Sequence, residues 1–227
     1  MDPIAFHNRQ ASTWEANYRT KAFRTRIRAF ENGLGNGDLS EKKWLDVGCG
    51  SGLLARWLAE RGANVDGIDG AHEMIRIAQS AARGHDYESR LRFQVSDIGA
   101  LPFPDSSFDG VLCSSVLEYA DVPESCLAEI ARVTKTGGQL LISVPNAESM
   151  ERMGLRVSFL LTNLIGSPRP RYMAHSKNKY TRVALSSLLA GCGFKSEYVA
   201  AFGSGLNDWI SSRYWFGPLL LARAAKL

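Results

Sequence analysis

Three glycines, Gly48, Gly50 and Gly52, directly follow a short apolar run and precede a helical pattern. Without side chains, such a loop allows its backbone to approach a ligand closely. A dinucleotide site requires a further glycine in the pattern G-x-G-x-x-G, but Leu53 occupies that position, and the G-K-[ST] of a Walker loop is absent as well. The loop therefore favours an amino-acid-like ligand over a phosphorylated one.

Acidic residues stand near the ends of three neighbouring apolar runs. Asp46, just before the glycine loop, would repel a pyrophosphate but suits a cationic amino group. Asp69 ends the second run, where a carboxylate can accept both hydroxyls of a ribose, and Asp97 with Ile98 follows the third, where they can read an adenine edge. Because the carboxyl ends of parallel strands meet at one edge, these groups predict a single crevice.

The elements that must position these residues follow an alternating pattern. From Lys43 onward, short apolar runs alternate with helical patterns, which is typical of β-α units and a parallel sheet. The predicted strands are 43–47, 64–68, 91–95, 108–113 and 138–143, and the predicted helices between them are 53–61, 72–83 and 123–133. Residues 5–30 are expected to form one amphipathic helix, and a last helix, 182–190, is expected before two strand-like runs, 195–202 and 218–224.

Four segments, 45–52, 65–69, 101–109 and 132–138, resemble the ordered motifs of class I S-adenosylmethionine-dependent methyltransferases. The resemblance implies an α/β, Rossmann-like methyltransferase sheet of seven strands with the last strand antiparallel, N-terminal helices and a helical cap insertion. It also implies the cofactor S-adenosyl-L-methionine, lying across the ends of the first four strands.

The same resemblance assigns cofactor contacts residue by residue. The implied contacts are Tyr18, Arg26, Gly48, Cys49, Gly50, Asp69, Gly70, Met74, Asp97, Ile98 and Ser114. In this assignment the glycine loop contacts the methionine part and Asp69 holds the ribose. The adenine lies between Gly70 and Met74, and Ser114 lines the sulfonium.

Outside these motifs, the chain is most similar to the ubiquinone-biosynthesis O-methyltransferases. The similar features are an N-terminal helix with Arg26 at a carboxylate-binding position, the segment 116–119, the apolar insertion, and His175. This similarity implies O-methylation of a small molecule, with His175 assisting deprotonation and Tyr119 orienting the acceptor. Many of those enzymes have Leu-Glu-His where this chain has Leu-Glu-Tyr, which leaves the base and the acceptor open.

The expected organisation is a single methyltransferase domain. Its parts are an N-terminal helical lid (1–38), a cofactor-binding core (43–146), a cap insertion (147–179), and a C-terminal helix with two strands (180–227). We expect the cap to select an apolar or amphipathic acceptor, with Arg152 and Arg156 facing water or lipid headgroups. An N-methyltransferase of a small amine and a non-catalytic cofactor-binding partner protein remain alternatives.

Composition narrows the remaining classes. The 227 residues are 45% hydrophobic and 22% charged, which is typical of a globular protein. The four cysteines contain no C-x-x-C pair, so no metal site is expected. A net charge of +4, concentrated in two basic segments, does not predict nucleic-acid binding. We expect a cytoplasmic protein, with peripheral membrane contact through the basic cap as an alternative.

Overall fold

The computed structural model describes residues 3–18, 20–35, 37–150, 152–153, 176–203 and 217–227. The side chains of residues 15–18 and 22 are also outside the description. Most of the predicted cap insertion, including His175, therefore lies outside the described residues. The division of the chain into lid, core, cap and C-terminal part stays a prediction.

The described elements alternate as the sequence predicts from β1 onward. The strands are β1 (Lys43–Val47), β2 (Asn64–Asp69), β3 (Leu91–Val95), β4 (Phe108–Ser114), β5 (Thr134–Pro145), β6 (Phe194–Phe202) and β7 (Leu219–Lys226). The helices are α1 (Pro3–Tyr18), α2 (Lys21–Leu34), α3 (Leu53–Ala59), α4 (His72–Ala82), α5 (Pro123–Val133) and α6 (Arg182–Gly191), with a short 3-10 turn at Glu88–Arg90.

The strands form one seven-stranded sheet in the order β3-β2-β1-β4-β5-β7-β6. Strands β1 to β5 pair in parallel, and β7 is antiparallel to both of its neighbours, β5 and β6. The sheet with its antiparallel last strand confirms the fold expected from the resemblance. The chain order reverses between β1 and β4, and in open α/β sheets such a reversal marks the ligand crevice.

The N-terminal region differs from the single helix predicted over residues 5–30. It forms two helices, because Thr20 has extended backbone angles (φ −74°, ψ 154°) and its side-chain oxygen accepts the backbone N–H of Phe23 at 3.5 Å. Threonine is a favourable N-cap for this reason, so a new helix begins there. Apolar periodicity continues through the break, which is why it did not reveal two helices.

Apolar side chains cover both faces of the sheet. One buried cluster joins Leu45 and Val111 to α5 and α6, and the other joins Trp44 to α2 and α3 around Phe30 and Trp57. Alternate residues of β1 thus contact opposite layers, as the pleat of a strand requires. Burying one such large side chain contributes about 1.5–3 kcal/mol. This packing fixes the strand ends from which the loops of the crevice emerge.

Candidate active site

The loop after β1 has a backbone that requires glycine. Gly48, Gly50 and Gly52 have φ angles of 66°, 54° and 79°, in the left-handed region that side chains disfavour. A Cβ on Gly48 would lie 2.3 Å from Cγ2 of Val116. The N–H of Cys49 donates to the carbonyl of Ile68 at 2.9 Å, which ties the loop to β2. The sequence-predicted Gly48, Cys49 and Gly50 are thus part of one tightly fitted turn.

Asp69 at the end of β2 is joined directly to this loop. Its Oδ2 accepts the N–H of Gly50 at 2.9 Å, and its Oδ1 accepts the N–H of Ala71 at 2.8 Å. Burial raises the pKa of Asp69, while the two backbone N–H groups oppose the rise. Each carboxylate oxygen can accept more than one hydrogen bond, so both can also accept hydroxyls from a diol. This geometry suits the ribose role predicted for Asp69.

Asp46 is the most deeply buried acidic side chain next to the loop. It is 1% exposed, and its Oδ2 has no hydrogen-bond partner among the described residues. Burial, followed by the negative charge of Asp69, raises the pKa of Asp46 to about 8. A buried polar atom without a partner is costly to a fold. Such an oxygen fits a ligand that brings its own cationic donor, such as an amino group.

Helix α1 lies across the segment predicted to flank the adenine. A Cβ on Gly70 would lie 3.0 Å from Cδ1 of Ile4, so the helix comes close to this backbone. The Oδ1 of Asn8 accepts the N–H of Glu73 at 3.0 Å, which satisfies one N–H in the first turn of α4. Met74 is buried and packs in the same cluster as residues of α1. The predicted pair Gly70 and Met74 is therefore covered by α1.

Two further predicted cofactor residues, Asp97 and Ile98, follow β3. The Oδ1 of Asp97 accepts the N–H of Gly99 at 2.9 Å, and its side chain is exposed. Ile98 is half-buried and packs against the core cluster that contains α5. The two residues thus have different surroundings, and their role at an adenine edge stays a prediction.

Arg26 and Ser114 are brought together although they are 88 positions apart. Nη1 of Arg26, on α2, donates to Oγ of Ser114 at the end of β4, at 3.3 Å. The Ser114 Oγ also lies 3.2 Å from Oγ of Ser143 on β5. The structure therefore places a guanidinium at the crevice between β4 and β5, next to the position predicted for the sulfonium.

The turn after β4 carries three further polar side chains, those of Ser115, Glu118 and Tyr119. Ser115 has a φ of 58°, which is unusual for a residue with a side chain and is often found at functional sites. Glu118 is 6% exposed, and burial raises its pKa although the charges of Arg26 and Arg152 oppose the rise. Burial, followed by the negative charge of Glu118, raises the pKa of Tyr119 far above its ordinary value. Tyr119 is accordingly a hydrogen-bond donor at neutral pH.

Two predicted site residues are outside what the structure describes. His175 is not among the described residues, and the side chain of Tyr18 is not described either. The residues that follow His175 are bound to the turn after β4, because the N–H groups of Lys177 and Asn178 donate to the carbonyl of Glu118 at 2.8 and 3.2 Å. The roles predicted for His175 and Tyr18 stay predictions.

Sequence reasoning assigned no role to Glu118 or Ser143. It expected Arg152 and Arg156 to face water or headgroups. Arg156 lies outside the described residues, and the expectation is wrong for Arg152, because this residue is half-buried and its Nη1 donates to the carbonyl of Pro218 at 3.2 Å. Pro218 immediately precedes β7, so Arg152 is held against the sheet. The segment Leu-Glu-Tyr drew attention to Glu118 in the sequence. The position of the Arg152 guanidinium depends on tertiary contacts that the sequence pattern does not show.

Metal-binding clusters and membrane-spanning helices are absent from the described part of the chain. No group of three or more His, Cys, Asp or Glu side chains in that part is arranged to hold a metal ion. None of the helices described is long and apolar enough to cross a membrane.

Comparison with known proteins identifies relatives of the central region. Residues 45–142 match a family model described as a methyltransferase domain. A ubiquinone biosynthesis O-methyltransferase of Alkalilimnicola ehrlichii is 39% identical over 113 residues, which are 48% of this chain and 44% of that protein. A malonyl-[acyl-carrier protein] O-methyltransferase of Serratia marcescens is 34% identical over 122 residues, 54% of this chain and 45% of that protein. The matches thus span a little under half the length of these curated relatives.

Solved structures share the fold over a longer part of the chain. An S-adenosylmethionine-dependent methyltransferase from Methanosarcina mazei superposes with a TM-score of 0.64 at 26% identity, covering 83% of this chain and 93% of that one. A protein from Haloferax volcanii, solved in complex with the Trm112 methyltransferase activator, superposes with a TM-score of 0.72 at 22% identity, covering 100% of this chain and 98% of that one. The second likeness shows the fold alone.

Proposed function

We propose, from the premise that this chain belongs to the class I S-adenosylmethionine-dependent methyltransferases, that it transfers a methyl group to an oxygen of a small molecule. The observation that carries the cofactor assignment is the pairing of the glycine loop with two acidic residues, Asp46 and Asp69. The loop lacks the pyrophosphate fingerprint, and the unpaired oxygen of Asp46 can accept a hydrogen bond from an amino group. S-adenosylmethionine supplies an activated methyl group and carries the amino group and ribose that these residues suit.

The residues of this chain would hold the two ends of the cofactor. Asp69 would accept the ribose hydroxyls, and Asp46 would accept a hydrogen bond from the amino group. Arg26 would pair with the carboxylate, since its guanidinium already reaches Ser114 at the end of β4. Helix α1 would cover the adenine side and exclude water. Most of the rate enhancement in such a direct displacement can come from holding an acceptor about 3 Å away and in line with the methyl group.

Oxygen is the acceptor atom favoured by two observations. The relatives named above are O-methyltransferases, although each matches over only about half of its own length. In this chain, the carboxyl and hydroxyl of Glu118 and Tyr119 lie in the turn after β4, where they can hydrogen-bond an acceptor hydroxyl. We propose an apolar or amphipathic hydroxyl compound as the substrate class. A neutral amine already has a nucleophilic lone pair and needs no base, whereas a hydroxyl benefits from the proton acceptor that Glu118 could supply.

Calorimetry with S-adenosylhomocysteine, the demethylated product, tests the cofactor assignment. The wild-type protein should bind it and should not bind NAD. Asp69→Ala should weaken binding by about 1.5–3 kcal/mol, because a charged hydrogen bond to the ribose is lost. Asp86→Ala, at an exposed position outside the crevice, is the matched control and should bind like wild type.

Two results would refute the cofactor assignment: no heat with S-adenosylhomocysteine, or equal affinity in the Asp69→Ala variant and the wild type. The acceptor atom is tested separately by supplying methyl-labelled S-adenosylmethionine and a metabolite extract. A labelled ether or ester supports O-methylation, and a labelled amine would replace it with N-methylation.

A further inference from the structure

The carboxylate of Glu118 has an unusual combination of burial and an unsatisfied atom. The side chain is 6% exposed, and its Oε2 makes no hydrogen bond within the described ranges. Most buried carboxylate oxygens are paired, because leaving one unpaired costs free energy. In this turn, Oγ of Ser115 is another buried atom without a partner in the same part of the chain. Two unsatisfied polar atoms therefore lie in the turn after β4, on the predicted acceptor side of the crevice.

The backbone around Glu118 is held firmly. Its carbonyl accepts the N–H groups of Lys177 and Asn178 at 2.8 and 3.2 Å. The Nδ2 of Asn178 donates to the carbonyls of Leu117 and Ala120, at 2.9 and 2.7 Å. Side chains fixed in this way by their surroundings are suited to catalytic positions. The carboxylate is thus presented by two segments that are joined by four hydrogen bonds.

The surroundings of Glu118 favour a negative charge on a neighbouring oxygen. Two guanidiniums, Arg26 from α2 and Arg152 from the segment after β5, act electrostatically on Glu118 and on Tyr119. The titratable and charged groups that interact with Glu118 across the packed elements are Arg26, Arg152, Tyr119, Cys113 and Tyr180. In a partly buried site, such positive charge stabilises an oxyanion that develops during a reaction.

We propose that Glu118 is the general base of the reaction and that the acceptor is an ionisable hydroxyl, a phenol or an enol. The role of Glu118 rests on the proposed function. The Oε2 atom takes the proton from the acceptor hydroxyl while the acceptor oxygen forms a bond to the methyl carbon. The methyl–sulfur bond breaks, its electron pair stays on sulfur, and S-adenosylhomocysteine leaves. Glu118 then returns the proton to water.

The protonation equilibrium of Glu118 suits this task. Burial raises the pKa of Glu118, and a carboxylate with a higher pKa is a stronger base. Tyr119, whose pKa is raised far more, stays protonated and donates a hydrogen bond. The two adjacent residues therefore have different roles, since Glu118 accepts the proton and Tyr119 orients the oxygen of the acceptor.

Paired acceptors of different acidity test this role. The probes are catechol and 4-nitrocatechol, whose nitro group makes the reacting hydroxyl much more acidic, so that less help from a base is needed. Glu118→Gln keeps the size and polarity of the side chain but cannot accept a proton. Glu124→Gln, at an exposed position nearby on α5, is the matched control and should leave both rates unchanged. Binding of S-adenosylhomocysteine is measured by calorimetry for each variant.

The expected result is a loss of about 10²- to 10⁴-fold in kcat for catechol in Glu118→Gln, the range that a positioned base supplies. The loss with 4-nitrocatechol should be less than tenfold, cofactor affinity should be unchanged, and the acidic limb of the wild-type pH profile should disappear. Equal losses with both acceptors would show a structural role and overturn the proposal. The same acceptor-dependent loss in His175→Ala instead of Glu118→Gln would assign the base to His175.

A failure of the proposed function would give other results than a failure of the role proposed for Glu118. If the wild-type protein binds S-adenosylhomocysteine but methylates neither catechol nor 4-nitrocatechol, the phenolic acceptor class is wrong, while the cofactor assignment stands. If it does not bind S-adenosylhomocysteine, the methyltransferase function and the role of Glu118 are both removed.

Discussion

His7 of α1 lies edge-on to Tyr119, with ring centroids 5.5 Å apart and the ring planes at 82°. The same imidazole makes an edge contact with Trp14 at 5.2 Å, and its charge acts on Asp69. One residue of the N-terminal helix therefore contacts the turn that carries Glu118 and influences the predicted ribose carboxylate. This contact joins the predicted lid helix α1 to the turn that carries Glu118.

His7→Ala should lower the affinity for S-adenosylhomocysteine about two- to tenfold. The reason is that an edge-to-face ring pair contributes about 0.5–1.5 kcal/mol beyond its buried area, and this pair helps to hold α1 closed. Calorimetry measures the change. His72→Ala is the control, because His72 is exposed on α4 and pairs with Glu73 at its surface. Equal affinities in the His7 variant and the wild type would show that α1 is held without this contact.

Gly48→Ala should destabilise the fold and abolish cofactor binding. The new Cβ would lie 2.3 Å from Cγ2 of Val116, and the φ of 66° disfavours any side chain. We expect a loss of about 2–4 kcal/mol in the free energy of unfolding, the sum of a clash and a backbone strain of about 1–3 kcal/mol. Urea denaturation followed by fluorescence measures it.

Val116→Ala in the Gly48→Ala background separates the two causes. Removing the γ-methyl groups relieves the clash but leaves the backbone strain, so stability should recover in part and cofactor affinity should remain reduced. Full recovery of stability would show that the positive φ costs little, and no recovery would show that Val116 is not the obstacle. Val116→Ala alone supplies the reference for the double variant.

Much of the fold could be predicted because local patterns and tertiary structure agree. Each apolar run from 43 to 143 became a strand, since β-α units have a distinct alternation, and Pro123 marked the start of α5. The N-terminal region could not be predicted in detail, because Thr20 interrupts the backbone without interrupting the apolar spacing. Strand β5 begins four residues earlier than expected, at Thr134 instead of residue 138.

The candidate site could be predicted only where one segment carries the chemistry. Gly50 and Asp69 were recognised because Gly50 follows one predicted strand and Asp69 ends the next, and the fold brings the Gly50 N–H within 2.9 Å of the Asp69 carboxylate. The charge at Arg152 was misplaced, because its contact with Pro218 joins segments 66 positions apart. Side-chain encounters of this kind depend on tertiary packing, which apolar periodicity does not encode.

The buried carboxyl of Asp46 should make stability depend on pH in a defined direction. Its pKa is about 8 in the folded protein against 3.8 ordinarily, so between these values the folded state binds more protons than the unfolded state. Stability is then lost as the pH rises through about 8. Asp46→Asn removes the charge and can keep the hydrogen bond from the backbone N–H of Ala55. Because each pKa unit corresponds to about 1.4 kcal/mol, the stability of the variant relative to the wild type should rise by at least about 1.4 kcal/mol between pH 5 and pH 8. Urea denaturation at both pH values measures this, with Asp86→Asn as the exposed control.

A pH-independent difference between Asp46→Asn and the wild type would mean that Asp46 is ionised throughout this range. Weaker binding of S-adenosylhomocysteine by the more stable variant would show that the protein keeps this costly carboxylate for its ligand.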